Sequence, residues 1–100
     1  MTIEIQKSEN TMTGLISGRL DNASVPQFTE GMQPLKENAS KHIILDLTGL
    51  QFISLQGMRM IHSLQDAIHN KGGQLSIRNA AATVVQLFTV TGFASLFNFE

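Results

Sequence analysis

The chain has 100 residues, 42% of them hydrophobic and 15% charged, and its 7 basic and 8 acidic side chains leave a net charge of -1. That is one folded domain, too hydrophobic for intrinsic disorder and too evenly charged for a sequence-independent grip on nucleic-acid phosphates. Cysteine is absent, which excludes a disulfide framework, a thiolate metal site and a cysteine nucleophile.

Met1-Thr2-Ile3-Glu4-Ile5-Gln6-Lys7 lacks the basic segment and apolar run of a secretory leader. Thr2 to Lys7 alternates apolar and polar residues, so it reads as a half-buried strand. Ser8-Glu9-Asn10 is a turn, and Thr11 to Leu20 is extended again, which predicts an antiparallel hairpin.

A helix follows from Ser24. Ser24 is placed to cap it, Gln27 stands at the matching capping-box position, and Pro26 lies in the first turn, where its missing N–H is tolerated. Phe28, Met32, Leu35 and Ala39 form its apolar stripe. Gly31 and Pro34 oppose a straight helix and predict a kink or early break, because proline removes the bond to the Glu30 carbonyl.

His42 to Leu47 is nearly continuously apolar, as in a strand buried on both faces beside a parallel neighbour. Thr48 to Ile53 reads as a loop, and a long amphipathic helix runs on to about Asn70. Gly57, Met60, Ile61, Leu64, Ala67 and Ile68 fall within an arc of about 120° at helical spacing. Arg59, His62, Ser63, Asp66, His69 and Asn70 point the other way. Lys71-Gly72-Gly73 closes this helix with a cation at the negative dipole end and glycine for a left-handed cap.

Gln74 to Arg78 is a short strand, Asn79 caps a third helix ending at Val90 and Gly92, and Leu96 to Phe99 is a last strand. No charged residue lies between Arg78 and Glu100, but Gln86, Gly92 and Asn98 interrupt the run, so two short buried elements are expected there, not a membrane span. The order implies an α/β domain over residues 1–100, with a single-layer mixed sheet, an initial antiparallel hairpin and helical cover. A soluble, cytoplasmic protein is expected.

Catalytic signatures are missing: no G-x-S-x-G, no phosphate loop and no H-E-x-x-H occur. His62, Asp66 and His69 share a helix face at spacings that could converge on a cation, but a further ligand is not evident and a solvated face is the plainer reading. His42 reads as structural, and Phe88, Phe93, Phe97 and Phe99 as core packing. No catalytic residue, metal site or cofactor is therefore nominated. Ser54 is more informative. It delivers a hydroxyl to a helix start, where free N–H groups favour negative charge, although a plain N-cap worth about 1 kcal/mol also explains it. A phosphoryl group there would add about -1.5 to -2 charges and alter what a partner meets.

Gly18-Arg19-Leu20-Asp21, Ile44-Leu45-Asp46-Leu47 with Phe52-Ile53, Gly57, Gly72-Gly73-Gln74-Leu75 and Leu87-Phe88-Thr89-Val90-Thr91-Gly92-Phe93 stand in a characteristic order. Together they resemble a STAS domain, the family of bacterial anti-sigma factor antagonists and of the cytoplasmic tails of sulfate transporters. The resemblance spans essentially the whole chain. It implies a protein-binding domain, not an enzyme, acting by partner switching. Such an antagonist binds an anti-sigma factor that is also a serine kinase, and phosphorylation at the start of the long helix releases it; a serine phosphatase is the implied third component.

The family pattern at that helix is Asp, then Ser or Thr, one further residue, then Gly-Leu. Aligned on Gly57, this chain has Ser54 at the acidic position, Leu55 at the phosphoacceptor position and Met58 after the glycine. Leucine cannot accept phosphate, which leaves an unswitched antagonist or one phosphorylated at Ser54, one residue away. The implied partner-binding residues are Asp21, Asn22 and Ser24 together with Ser54, Leu55, Gln56, Gly57, Met58 and Arg59. A second reading carries the same face into a membrane transporter for lipid or anions, as an accessory subunit docking on an ATPase subunit.

Overall fold

Strands β1 (Thr2–Lys7) and β2 (Thr11–Leu20) form the expected antiparallel hairpin, Ile3 facing Ile16 and Ile5 facing Gly14. This is seen in a computed structural model of the protein that describes residues 1–38 and 41–100. β3 (His42–Ile53), β4 (Gln74–Arg78) and β5 (Asn98–Phe99) then join in parallel, each beside the last, giving the order β1-β2-β3-β4-β5. Right-handed crossovers that all step the same way lay every helix on one face of such a sheet. The core lies between the two layers, where Met12, Ile16, Ile43, Leu45, Leu75 and Ile77 meet Phe28, Leu35, Ile61, Leu64, Ile68, Val84 and Phe88.

The helix after β2 is broken where Gly31 and Pro34 predict it. α1 (Val25–Gly31) and α2 (Gln33–Glu37) meet at Met32, and Phe28, Met32 and Leu35 are buried as the stripe requires. Ala39 lies outside the described residues. The capping expectation fails, however. Ser24 precedes α1 but its side chain caps nothing; its hydroxyl is drawn to Asp21 and to the Arg19 carbonyl, while Gln27 donates to the Met1 carbonyl.

α3 (Leu55–Asn70) is the long amphipathic helix, ended by Lys71 and by Gly72 at φ 84°. Gly57, Ile61, Leu64 and Ile68 are buried as expected, but Met60 and Ala67 are only half-buried and Met58 joins the core in their stead. The loop expected from Thr48 to Ile53 is corrected by the structure: β3 continues to Ile53, pairing with β2 to its end. Asn79 is a second correction. It takes a left-handed turn at φ 60° and donates to Asp46, so α4 (Ala82–Val90) starts after Ala81 without a side-chain cap. Gly92 ends α4 at φ 82° as expected. Of the last expected strand only Asn98–Phe99 pairs, because Ala94–Leu96 coils into a 3-10 turn. Phe88 meets Phe97 and Phe99 edge-on at 5.5 and 5.4 Å, as core packing requires. Among the described residues no helix is long and apolar enough to cross a membrane.

Candidate protein-docking site

β2 and β3 run parallel and stop together, Leu20 paired with Ile53. The segments that leave the two strands must therefore emerge side by side. The Ser54 amide donates to the Leu20 carbonyl at 2.8 Å, which ties the start of α3 to the end of β2. After β2 the chain makes a 3-10 turn (Asn22–Ser24) that Asp21 caps: its Oδ1 accepts from the Ser24 amide at 3.2 Å and lies 2.9 Å from the Ser24 hydroxyl. The Ser24 hydroxyl holds the Asp21 carboxyl below its usual range; slight desolvation opposes this, while the Ser24 and Ala23 amides and the Arg19 charge reinforce it.

Ser54 sits at the N-cap of α3 with an extended backbone (φ -85°, ψ 168°). Its hydroxyl accepts from the Gly57 amide at 3.1 Å and donates to Asn22 Oδ1, also at 3.1 Å. One hydroxyl thus caps the helix and pins the turn beside it. Two segments more than thirty residues apart in sequence (about a third of a chain this size) become one surface.

The nominated residues divide by exposure. Asn22, Leu55 and Arg59 are exposed, whereas Asp21, Ser24, Ser54 and Gln56 are half-buried. Leu55 is 44% exposed although large and apolar, the first residue of α3 to face solvent. Gly57 and Met58 are buried beneath this surface. A Cβ on Gly57 would lie 2.9 Å from Leu20 Cγ and 3.0 Å from both Ile53 Cγ1 and the Leu20 carbonyl oxygen, so the glycine is the point of closest approach between α3 and the sheet. Met58 is 1% exposed, with its sulfur accepting from the Thr91 hydroxyl at 3.2 Å. Both hold the surface in place from beneath and offer a partner no side chain.

Two residues on the same rim escape the sequence reading. The Arg19 guanidinium lies 4.3 Å from the centre of the Phe52 ring and its Nε lies 4.0 Å from Asp21. Their pairing depends on the register of β2 against β3, for which the sequence carries no local signal.

His62 and Asp66 approach to 3.8 Å, but His69 does not complete a site, and no group of three ligating side chains occurs among the described residues. The His62 ring instead meets Phe93 and Phe97 edge-on, and Gln65 donates to the Leu96 carbonyl at 2.7 Å. That face of α3 fastens the last segment of the chain. His42 Nε2 lies 3.0 Å from the Ser76 hydroxyl and ties β3 to β4.

The arrangement at the end of β2 and β3 is suited to recognition: an apolar side chain, a guanidinium, and a rigid turn displaying amide and carboxylate oxygens. The sequence model of the STAS domain matches residues 2–100. The anti-sigma-B factor antagonist of Bacillus subtilis (strain 168) is 22% identical over 96 residues, covering 96% of this chain and 87% of that protein. The structure of unphosphorylated SpoIIAA, an anti-sigma factor antagonist, aligns with a TM-score of 0.78 at 16% identity, over 99% of this chain and 88% of its own. The murine anion transporter Slc26a9, in its inward-facing state, aligns with a TM-score of 0.74 at 22% identity, over 85% of this chain and 14% of the transporter.

Proposed function

The chain belongs to the STAS domain family, and from that premise we propose that it is an anti-sigma factor antagonist whose partner is an anti-sigma factor of the serine-kinase type. The observation that carries this reading is the single surface built from the Asp21–Ser24 turn and the start of α3, locked by Ser54 to Asn22. Curated relatives of the chain are named for the same activity. Leu55 and Arg59 stand exposed on this surface, where the anti-sigma factor docks and gives up its sigma factor.

The switch differs from the family's. Leu55 has no hydroxyl, and the Ser54 hydroxyl is engaged on both sides, so a kinase must break the N-cap and the tie to Asn22 before phosphate can be transferred. We read the chain as an antagonist that stays competent in the presence of its kinase and ATP. The likeness to Slc26a9 is one of fold alone and does not favour the transporter reading.

The test is a binding screen of the purified chain against each anti-sigma factor encoded in the source genome, followed by calorimetry on the one that binds. A complex that survives ATP and magnesium, carries no phosphate by mass spectrometry and weakens at least tenfold in Arg59→Glu is the expected result. The double variant Ser54→Asp with Leu55→Ser, which restores the family's acidic and phosphoacceptor positions, is expected to take up one phosphate and release the partner. Stoichiometric phosphate on Ser54 of the unaltered chain refutes the unswitched reading. Absence of any binder refutes the function.

A further inference from the structure

The open face of the sheet reaches the docking surface at one point. Leu20 and Ile53, the last residues of β2 and β3, are buried against the helices. By strand alternation the residues before them, Arg19 and Phe52, project from the opposite face. Register alone would not bring these two together. Between Gly18 and Arg19 the partner in β3 jumps from Leu50 to Phe52, so β3 carries an extra residue there, and Gly18 accommodates the irregularity at φ 90°. A bulge of this kind re-aims a side chain, and such devices concentrate beside functional surfaces. Its product is a guanidinium held 4.3 Å from the centre of an aromatic ring.

We propose that the Arg19–Phe52 pair is a second half of the docking surface, which takes a carboxylate-bearing segment of the anti-sigma factor around the end of the sheet. This rests on the functional reading above. Three observations support it. Arg19 is 59% exposed at its side chain and makes no hydrogen bond through its guanidinium among the described residues, so its forked donors are available to a carboxylate. It is continuous with the turn already assigned to the partner, since its carbonyl lies 2.9 Å from the Ser24 hydroxyl and its Nε is 4.0 Å from Asp21. Charge points the same way: the exposed Arg19 guanidinium has Asp21, at 4.0 Å, as its one ion-pair partner among the described residues, a loose pairing that leaves positive charge to suit an acidic partner segment.

The chemistry also favours this pair as an anchor. Arginine and aromatic residues dominate the few contacts that carry binding energy, and a guanidinium already stacked on a ring loses less freedom when it binds. Phe52, half-buried, presents apolar surface beside it.

Calorimetry with the anti-sigma factor selected by the screen tests the proposal, at a temperature where circular dichroism shows every variant folded. Arg19→Ala is expected to weaken binding about tenfold and to flatten its salt dependence. Arg19→Lys keeps the charge but not the planar fork, and is expected to recover only part of that loss. Phe52→Leu keeps apolar volume without the ring face and is expected to weaken binding several-fold. Arg19→Ala and Phe52→Leu within twofold of the parent, while Arg59→Glu loses tenfold, overturns the second half and leaves the functional reading intact. Full recovery by Arg19→Lys also overturns it, because charge alone then suffices. If Arg59→Glu is silent as well, or nothing in the screen binds, both fall together.

Discussion

Replacing Gly57 by alanine sets two well-measured effects against each other. In a helix, Gly→Ala gains about 1 kcal/mol from propensity, less near an end. Against this, the new Cβ would stand 2.9 Å from Leu20 Cγ and 3.0 Å from both Ile53 Cγ1 and the Leu20 carbonyl oxygen. None of these can retreat easily. Leu20 is 0% and Ile53 1% exposed, and the Leu20 carbonyl accepts the Ser54 amide at 2.8 Å. Overpacking of a filled core costs about 1–3 kcal/mol. Packing therefore wins, with a net loss of about 1 kcal/mol and a melting temperature about 4–8 °C lower for a domain of this size. Gly31→Ala is the control. Its Cβ would approach Ile3 Cδ1 at 2.5 Å, but that atom is the free tip of a half-buried side chain that can turn away, so the variant should melt close to the parent. Thermal unfolding followed by circular dichroism reads both. A Gly57→Ala protein that melts higher than the parent, or together with Gly31→Ala, refutes the claim that α3 is pressed to its limit against the end of β2.

Two further outcomes rest on single side chains. Ser54→Ala removes the N-cap of α3 and the tie to Asn22, and should cost about 1 kcal/mol, or about 4–8 °C in melting temperature, with Ser54→Asp restoring most of it because aspartate also caps. Asp46 is partly desolvated, which raises its pKa, but hydrogen bonds from the Thr48 hydroxyl at 2.6 Å and amide at 3.0 Å and from Asn79, with the Arg78 charge, outweigh this and hold it below its ordinary 3.8. A depressed carboxylate contributes stability that is present above the ordinary value and lost as pH falls through the folded one. Asp46→Asn should therefore lose less stability than the parent between about pH 5 and pH 2, measured as urea midpoints across that range.

Where one periodicity runs unbroken, the sequence announced the element. The hairpin of β1 and β2 keeps its alternation, and α3 keeps enough of its 3.6-residue stripe to be unmistakable, with the one exchange of Met58 for the outer positions Met60 and Ala67. β3 fails this condition in its second half. From Leu15 to Ser17 its partner moves from Asp46 to Gly49, and from Gly18 to Arg19 it moves from Leu50 to Phe52, so β3 carries an extra residue at each step. Its inward positions become Leu47, Leu50 and Ile53, a spacing of three that belongs to no simple strand, and the segment reads as a loop. Gly49 makes the first irregularity feasible, since a Cβ there would lie 2.5 Å from Ser17 Cβ. Ser24 and Asn79 illustrate a different limit. Both have the right side chain for a cap, but each finds a better-placed partner in Asp21 or Asp46, and local preference yields to that tertiary contact.

The proposed docking surface was legible in its parts and illegible in its assembly. Ser54 at a helix start and Asp21 after a strand can each be found from local pattern. Their meeting depends on β2 and β3 being parallel neighbours that end level, which places the turn after one and the helix after the other at the same carboxyl edge. In sheets of this kind that edge is where successive loops converge, whatever their sequences. The bulges in β3 then decide how far the strand reaches. They advance it so that Ile53 stands level with Leu20, which delivers Ser54 to the Leu20 carbonyl and Phe52 to Arg19 at once. The irregularities that hide this stretch from sequence reading are thus the ones that build the proposed site, and removing either should misalign both of its proposed halves together.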